Sequence, residues 1–172
     1  TLDGKLVVNH DPTHFGDTIE LKTYAALNAK KLSNGEDLPL LQDYFKKGTA
    51  SNHHTLLICE IKAALLSNTT SQLTASETVE LAKQLGVEER IIYISFDYDV
   101  IKKILSLNPA APVQYLNGDK SPEQLKADGI VSAGMIPKLE NALKAISQGV
   151  QTVRLCHADF VSQPNKGTLI QA

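Results

Sequence analysis

Along this chain, short apolar runs alternate with stretches whose apolar positions recur every three or four residues, the first pattern marking strands and the second amphipathic helices. The most sharply bounded run is 56–62, Leu56-Leu57-Ile58-Cys59-Glu60-Ile61-Lys62, which lies between the polar cluster 49–55 and an Ala/Leu/Ser/Thr segment. It predicts a buried strand of a parallel sheet. Further strands are predicted over 6–11, 90–97, 113–116 and 151–157. A short helical piece is predicted around 21–31, followed by a turn at Asn34-Gly35. The segment 38–47 has helical spacing at Leu41, Tyr44 and Phe45, with lysines in its last turn and Gly48 closing it. Helices are also predicted over 74–86 with Ser76 as cap, over 99–107 with a Val100/Ile101/Ile104/Leu105 stripe, over 121–127 with Ser121 as cap and Pro122 in the first turn, and over 137–148. The repeated order of strand and helix implies right-handed crossovers and a mainly parallel α/β sheet, with an open three-layer sheet as the alternative arrangement.

Composition narrows this picture. A length of 172 residues suffices for one full core with an appendage, and a net charge of -2 with mixed signs argues against nucleic acid as a partner. No apolar run approaches the ~20 residues that a membrane-spanning helix requires. No charged-then-apolar leader opens the sequence, so the protein is expected either not to be secreted or to have its leader outside these residues, leaving cytoplasm and periplasm both open. Cys59 and Cys156 sit in separate strand-like runs and read as buried free thiols. Short strands at an unclosed sheet edge would allow a homodimer.

Candidate chemistry gathers at strand ends. Side chains alternate along a strand, so Ile58, Glu60 and Lys62 share one face while Leu57, Cys59 and Ile61 share the other. A carboxylate and an ammonium on one face, with Cα atoms about 6–7 Å apart, need each other, a metal or an anionic ligand, because an unpaired buried charge is costly. The carboxyl ends of parallel strands are where α/β folds bind ligands. On the predicted strand 6–11, Leu6, Val8 and His10 share a face, and Pro12 ends the run; His10 beside Asp11 is an acid/base candidate. Asp11, Asp97 and Asp119 are further carboxylates at predicted strand ends. The adjacent His53 and His54 lack a third ligand at suitable spacing and read as a solvated loop.

Four segments, taken in order, resemble the glycerophosphodiester phosphodiesterases: Thr1-x-Asp3-Gly4 with Val7-Val8-Asn9-His10-Asp11-Pro12, then Leu38-Pro39-x-Leu41, then Glu60-Ile61-Lys62, then Ile94-Ser95-Phe96-Asp97. The likeness covers about residues 1–130. It implies a partial TIM-barrel-like fold and an enzyme that uses a divalent metal, Mg or Ca, to hydrolyse a small-molecule glycerophosphodiester to glycerol 3-phosphate and an alcohol. On the same resemblance, His10 is one of two acid/base histidines, Glu60 a metal-binding carboxylate and Lys62 a phosphate contact. In that family the first histidine and an acidic pair precede the Thr-x-Asp-Gly turn, and later strands carry a tryptophan. This sequence opens at the turn and has no Trp. The expectation is therefore an incomplete catalytic set.

From about residue 125 the sequence changes character. The segment containing Gly134-Met135-Ile136-Pro137-Lys138 and the later Gly167-Thr168-Leu169-Ile170 resemble the carboxyl-terminal part of acetylglutamate kinases. That resemblance implies an αβ segment over 131–172 packed on the same sheet, and places Lys138 at a helix start near nucleotide phosphates. A fragment, a fusion or a recombined sequence is expected. Beside the hydrolase stand two other readings: a nucleotide-binding remnant using Lys138, and a non-catalytic α/β scaffold.

Overall fold

A computed structural model describes residues 1–117, 119–131 and 135–171. These fall into two compact units, 1–118 and 119–172. The first contains β1 (Thr13–His14), β2 (Asp17–Thr18), α1 (Tyr24–Asn28), α2 (Leu41–Thr49), β3 (Leu57–Glu60), α3 (Asn68–Gln84), β4 (Ile91–Ser95), α4 (Tyr98–Leu107) and β5 (Val113–Tyr115).

Strands β3, β4 and β5 form one parallel sheet in that order, with Leu57 opposite Ile91 and Tyr93 opposite Val113. Paired residues of parallel strands point to the same side, so the two faces can be read from the register. Leu57, Cys59, Ile91, Tyr93 and Val113 pack with Phe45 of α2, Ala75, Val79 and Ala82 of α3, and Val100 and Ile104 of α4. On the opposite face lie Ile58, 68% exposed, and Phe96, 59% exposed. Helices thus cover one side of the sheet, as in part of a TIM-type barrel, where the uncovered side lines the interior. An open three-layer sheet would need helices on both.

Local chemistry explains the element boundaries. Asp97 caps α4, its carboxylate accepting from the amides of Asp99 and Val100. The helix predicted from residue 74 begins at Asn68, because Ser67 caps it by accepting from the Thr70 amide. The polar first turns, 68–72, hide that start, and Ser76, the predicted cap, lies inside the helix: Thr74, Ser76 and Thr78 each turn their hydroxyl back to a carbonyl one turn earlier at 2.7–2.9 Å and so do not end it.

The strand predicted over 6–11 does not form. Val7 makes a single antiparallel bridge to Leu40, flanked by Val8 N–H to the Pro39 carbonyl at 2.8 Å and Leu41 N–H to the Leu6 carbonyl at 2.9 Å. Beyond it the Asn9 amide donates to the carbonyls of Asp11 (2.7 Å) and Thr13 (3.0 Å), curling the chain into a turn. His10 therefore stands in a bend and not at a strand end. In this amino-terminal region Leu27, Leu38 and His14 are buried.

The second unit contains α5 (Pro122–Ala127), α6 (Ile136–Ser147), β6 (Thr152–Leu155) and β7 (Thr168–Gln171). Ser121 caps α5 as its sequence predicts. Strands β6 and β7 pair antiparallel as a separate two-stranded sheet. Gly167, at φ 104°, is required there, since a side chain would collide with the Leu155 carbonyl. Among the described residues no helix is long and apolar enough to cross a membrane.

Both cysteines are free and partly buried. Burial pushes the Cys59 thiol up to about 12, and burial, with lesser contributions from Cys59 and Glu88, pushes the Tyr93 phenol up to about 12. Each group binds its proton more tightly folded than unfolded, so its contribution is complete below the unfolded values near 9 and 10 and is lost as pH rises toward 12. Urea unfolding measured across that window should show a falling midpoint. The fall should be shallower in Cys59→Ala, and an equal slope in both would show that the thiol ionises freely.

Candidate functional site

The end of β3 is fixed by one buried hydroxyl. Ser95 Oγ donates to the Ile61 carbonyl at 2.7 Å and accepts from the Asp97 amide at 3.0 Å, while the Ile61 amide donates to the Ile94 carbonyl at 2.9 Å. Both backbone groups of Ile61 are thus held, and its side chain is buried in the core at 3% exposure. Glu60 and Lys62 on either side must then turn to the uncovered face. Lys62 Nζ lies 2.8 Å from Glu60 Oε1, with the side chains 42% and 28% exposed respectively. In that setting such a pair contributes about 0–1 kcal/mol, so it is a weak structural link. The loop after it is tethered by Glu20, whose carboxylate accepts from the amides of Leu65 (2.6 Å) and Leu66 (3.2 Å).

His10 forms a second centre. Its Nδ1 lies 2.9 Å from Asp11 Oδ1, and both side chains are exposed. With Nδ1–H donating to Asp11, Nε2 is left to accept or donate a proton. Among the described residues no hydrogen bond or ion pair joins His10 to Glu60 or Lys62. An open cleft of about 230 Å³ surrounds His10, with Asp11, His14, Phe15 and Leu32 in its walls.

The other candidate carboxylates are engaged. Asp97 caps α4, Asp11 holds His10, and Asp119 pairs with Lys120 at 3.2 Å. Glu60 offers one carboxylate, and among the described residues no three His, Cys, Asp or Glu side chains gather as a metal site. Mg²⁺ binds through about one or two carboxylates with waters and phosphate oxygens, whereas Ca²⁺ takes about six to eight oxygens. Glu60 alone is a poor anchor for either ion, and a metal held there would need further oxygen donors. His53 and His54 are exposed in their loop.

In the second unit, Lys138 is exposed in the first turn of α6. Gly134, part of the kinase-like motif, lies outside the described residues.

Three residues escape the sequence reading. His14 is 3% exposed, its Nε2 lies 2.8 Å from the Lys30 carbonyl oxygen, and its ring meets that of Phe15 edge-on at 4.7 Å. Phe15 and Gly16 form the turn of the β1–β2 hairpin with φ of 46° and 86°. The two-residue strands are too short for any periodic signal, and only Gly16 marks the turn. Glu20 had no motif.

No protein-family model matches the chain. It matches acetylglutamate kinases of Cytophaga hutchinsonii (49% identity over 37 residues) and Bacteroides thetaiotaomicron (47% over 49), which is 22% and 28% of this chain but only 14% and 19% of those proteins. These are short partial matches. Two solved structures, from Silicibacter pomeroyi and Agrobacterium tumefaciens, share the fold at 19% and 20% identity with TM-scores of 0.55 and 0.57. A crystal structure of a glycerophosphodiester phosphodiesterase from Parabacteroides distasonis matches with 31% identity and a TM-score of 0.72, covering 88% of this chain. This chain spans 65% of that protein's length.

If Ser95 holds the Glu60–Lys62 segment, Ser95→Ala should cost about 1–3 kcal/mol in urea unfolding, because the Ile61 carbonyl loses its partner in a buried place. A change under a few tenths would show that water replaces the hydroxyl. Over 88% of its residues the chain shares the α/β fold of the Parabacteroides distasonis phosphodiesterase.

Proposed function

We propose that this chain belongs to a metal-dependent phosphodiester hydrolase, acting on glycerophosphodiesters to release glycerol 3-phosphate and an alcohol. The observation that carries the reading is the Glu60–Lys62 pair at 2.8 Å on the uncovered face of a parallel strand's carboxyl end, in a fold shared with a glycerophosphodiester phosphodiesterase. Because the chain spans 65% of that protein, further residues of a whole enzyme would complete the site.

Lys62 has a long, half-exposed stem and a weak partner, so its ammonium can leave Glu60 for a phosphate oxygen and offset the charge that builds on the equatorial oxygens. Glu60, released from the lysine, would hold the divalent ion with one carboxylate oxygen. That ion, when bound, polarises the phosphoryl group and lowers the proton affinity of coordinated water. His10 transfers the proton at the leaving oxygen: water's oxygen joins phosphorus as the water gives up one proton to solvent, the bond from phosphorus to the alcohol oxygen breaks, and the departing alkoxide takes a proton from Nε2, which regains one from solvent. Asp11 at 2.9 Å orients the ring. An acid of this kind contributes about 10²–10⁴-fold in rate.

Release of glycerol 3-phosphate from glycerophosphocholine, followed with and without added Mg²⁺, tests the reading. Glu60→Ala should abolish the metal-dependent release, and His10→Ala should lower it about 10²-fold or more. Equal release in chelator, or an unimpaired Glu60→Ala, would count against it.

A further inference from the structure

Phe15 is a bulky residue in a backbone region that L side chains disfavour, at φ 46°, on the tip of a two-residue hairpin turn whose other position is Gly16 at 86°. Turns with positive φ at both central residues select Asn, Asp or Gly at the first, because a side chain such as phenylalanine is strained there. A Phe in that place is not explained by burial either, since it is 58% exposed. What it does have is a place in the wall of the cleft around His10, braced edge-on against the buried His14 ring at 4.7 Å. His14 is in turn anchored through Nε2 to the Lys30 carbonyl oxygen at 2.8 Å, and Lys30 Nζ donates to Asp17 (2.8 Å) and to the Phe15 carbonyl (3.2 Å). Asp17, opposite His14 in the register, is held below its ordinary carboxylate value chiefly by its hydrogen bond to Lys30. The hairpin is thus stapled at its base while its tip carries a strained, exposed ring. Strain kept against an evident local alternative is a mark of function rather than of folding.

The geometry gives that ring a task. An acid that protonates a leaving oxygen must come within hydrogen-bond reach of it. The carbon skeleton of the alcohol is bonded to that same oxygen and so must enter the space around His10. Phe15 and Leu32 are the apolar walls of that space, and Asp11 is its carboxylate. We propose that Phe15 is the specificity-determining residue for the alcohol half of the diester, favouring alcohols that carry a methylated ammonium group over plain polyols. The inference rests on the reading of His10 as the leaving-group acid. A methylated ammonium presents both apolar surface and positive charge to the ring face, whereas a glycerol moiety presents hydroxyls that the ring cannot satisfy. A cation over an exposed aromatic face favours binding about 2- to 5-fold.

The test is equilibrium binding to the full chain, with saturation-transfer NMR to identify the protons in contact. The ligands are glycerophosphocholine, glycerophosphoglycerol and glycerol 3-phosphate, and the proteins are the wild type and Phe15→Asn. Asn tolerates the left-handed region, so this variant relieves the strain while removing the ring. The expected result is that glycerophosphocholine binds about 2- to 5-fold more tightly than glycerophosphoglycerol, with saturation reaching its N-methyl protons. Phe15→Asn should erase the preference, keep the affinity for glycerol 3-phosphate, and raise the thermal midpoint by about 2–4 °C. If all three ligands bind and the two diesters bind equally, or the preference survives in Phe15→Asn, this inference falls and the phosphodiester reading stands. A lowered thermal midpoint in Phe15→Asn would make the ring a structural brace and would also overturn it. If glycerol 3-phosphate itself does not bind, both fall together.

Discussion

The hydrogen bond from Ser95 Oγ to the Ile61 carbonyl, 2.7 Å long and wholly buried, is the constraint on which the site depends. It crosses between neighbouring strands where their regular ladder is ending and holds the peptide between an acidic and a basic residue. Ile61 faces the helices and its neighbours face away, so one hydroxyl decides on which side two charges appear. The same oxygen accepts from the Asp97 amide, and Asp97 caps the following helix, so the end of β3, the end of β4 and the start of α4 are fixed together. A serine is suited to this position because its one hydroxyl can donate and accept at once.

What stands on that support is loosely held, which suits a binding group. The Glu60–Lys62 pair is partly solvated and adds little to stability, so exchanging its lysine for a phosphate partner costs little. The amino-terminal region presents a different balance. There His10 is oriented by Asp11 in an open cleft, and the hairpin beside it is braced from below by His14, Lys30 and Asp17.

Much of the parallel sheet was legible in the sequence because its signals are local. Alternation in 56–62 correctly set Ile58 on the face opposite Leu57, Cys59 and Ile61, but the strand expected to be buried is covered on one side only and leaves Ile58 68% exposed. Caps at Ser121 and the apolar stripe of α4 were equally direct. The strand expected at 6–11 failed because a run of apolar residues says nothing about where its hydrogen-bonding partner lies; here the partner is the 39–41 segment, met at one bridge, and Asn9 turns the chain aside. The early start of α3 was hidden by polar residues that usually signal loops, and Ser76, expected as its cap, instead bonds back along the helix. Strand parity also placed Glu60 and Lys62 on one face, where they meet at 2.8 Å. His14, Phe15 and Glu20 were not legible in the sequence, since their roles come from contacts across 16, 1 and 45 positions in elements of two or three residues.

The most direct examination of the central claim is a crystal structure of the chain with glycerol 3-phosphate bound. Phosphate oxygens should lie within hydrogen-bond distance of Lys62 Nζ, with the Glu60–Lys62 contact opened and His10 Nε2 turned toward the same ligand. A phosphate bound elsewhere, with Lys62 still closed on Glu60, would contradict it.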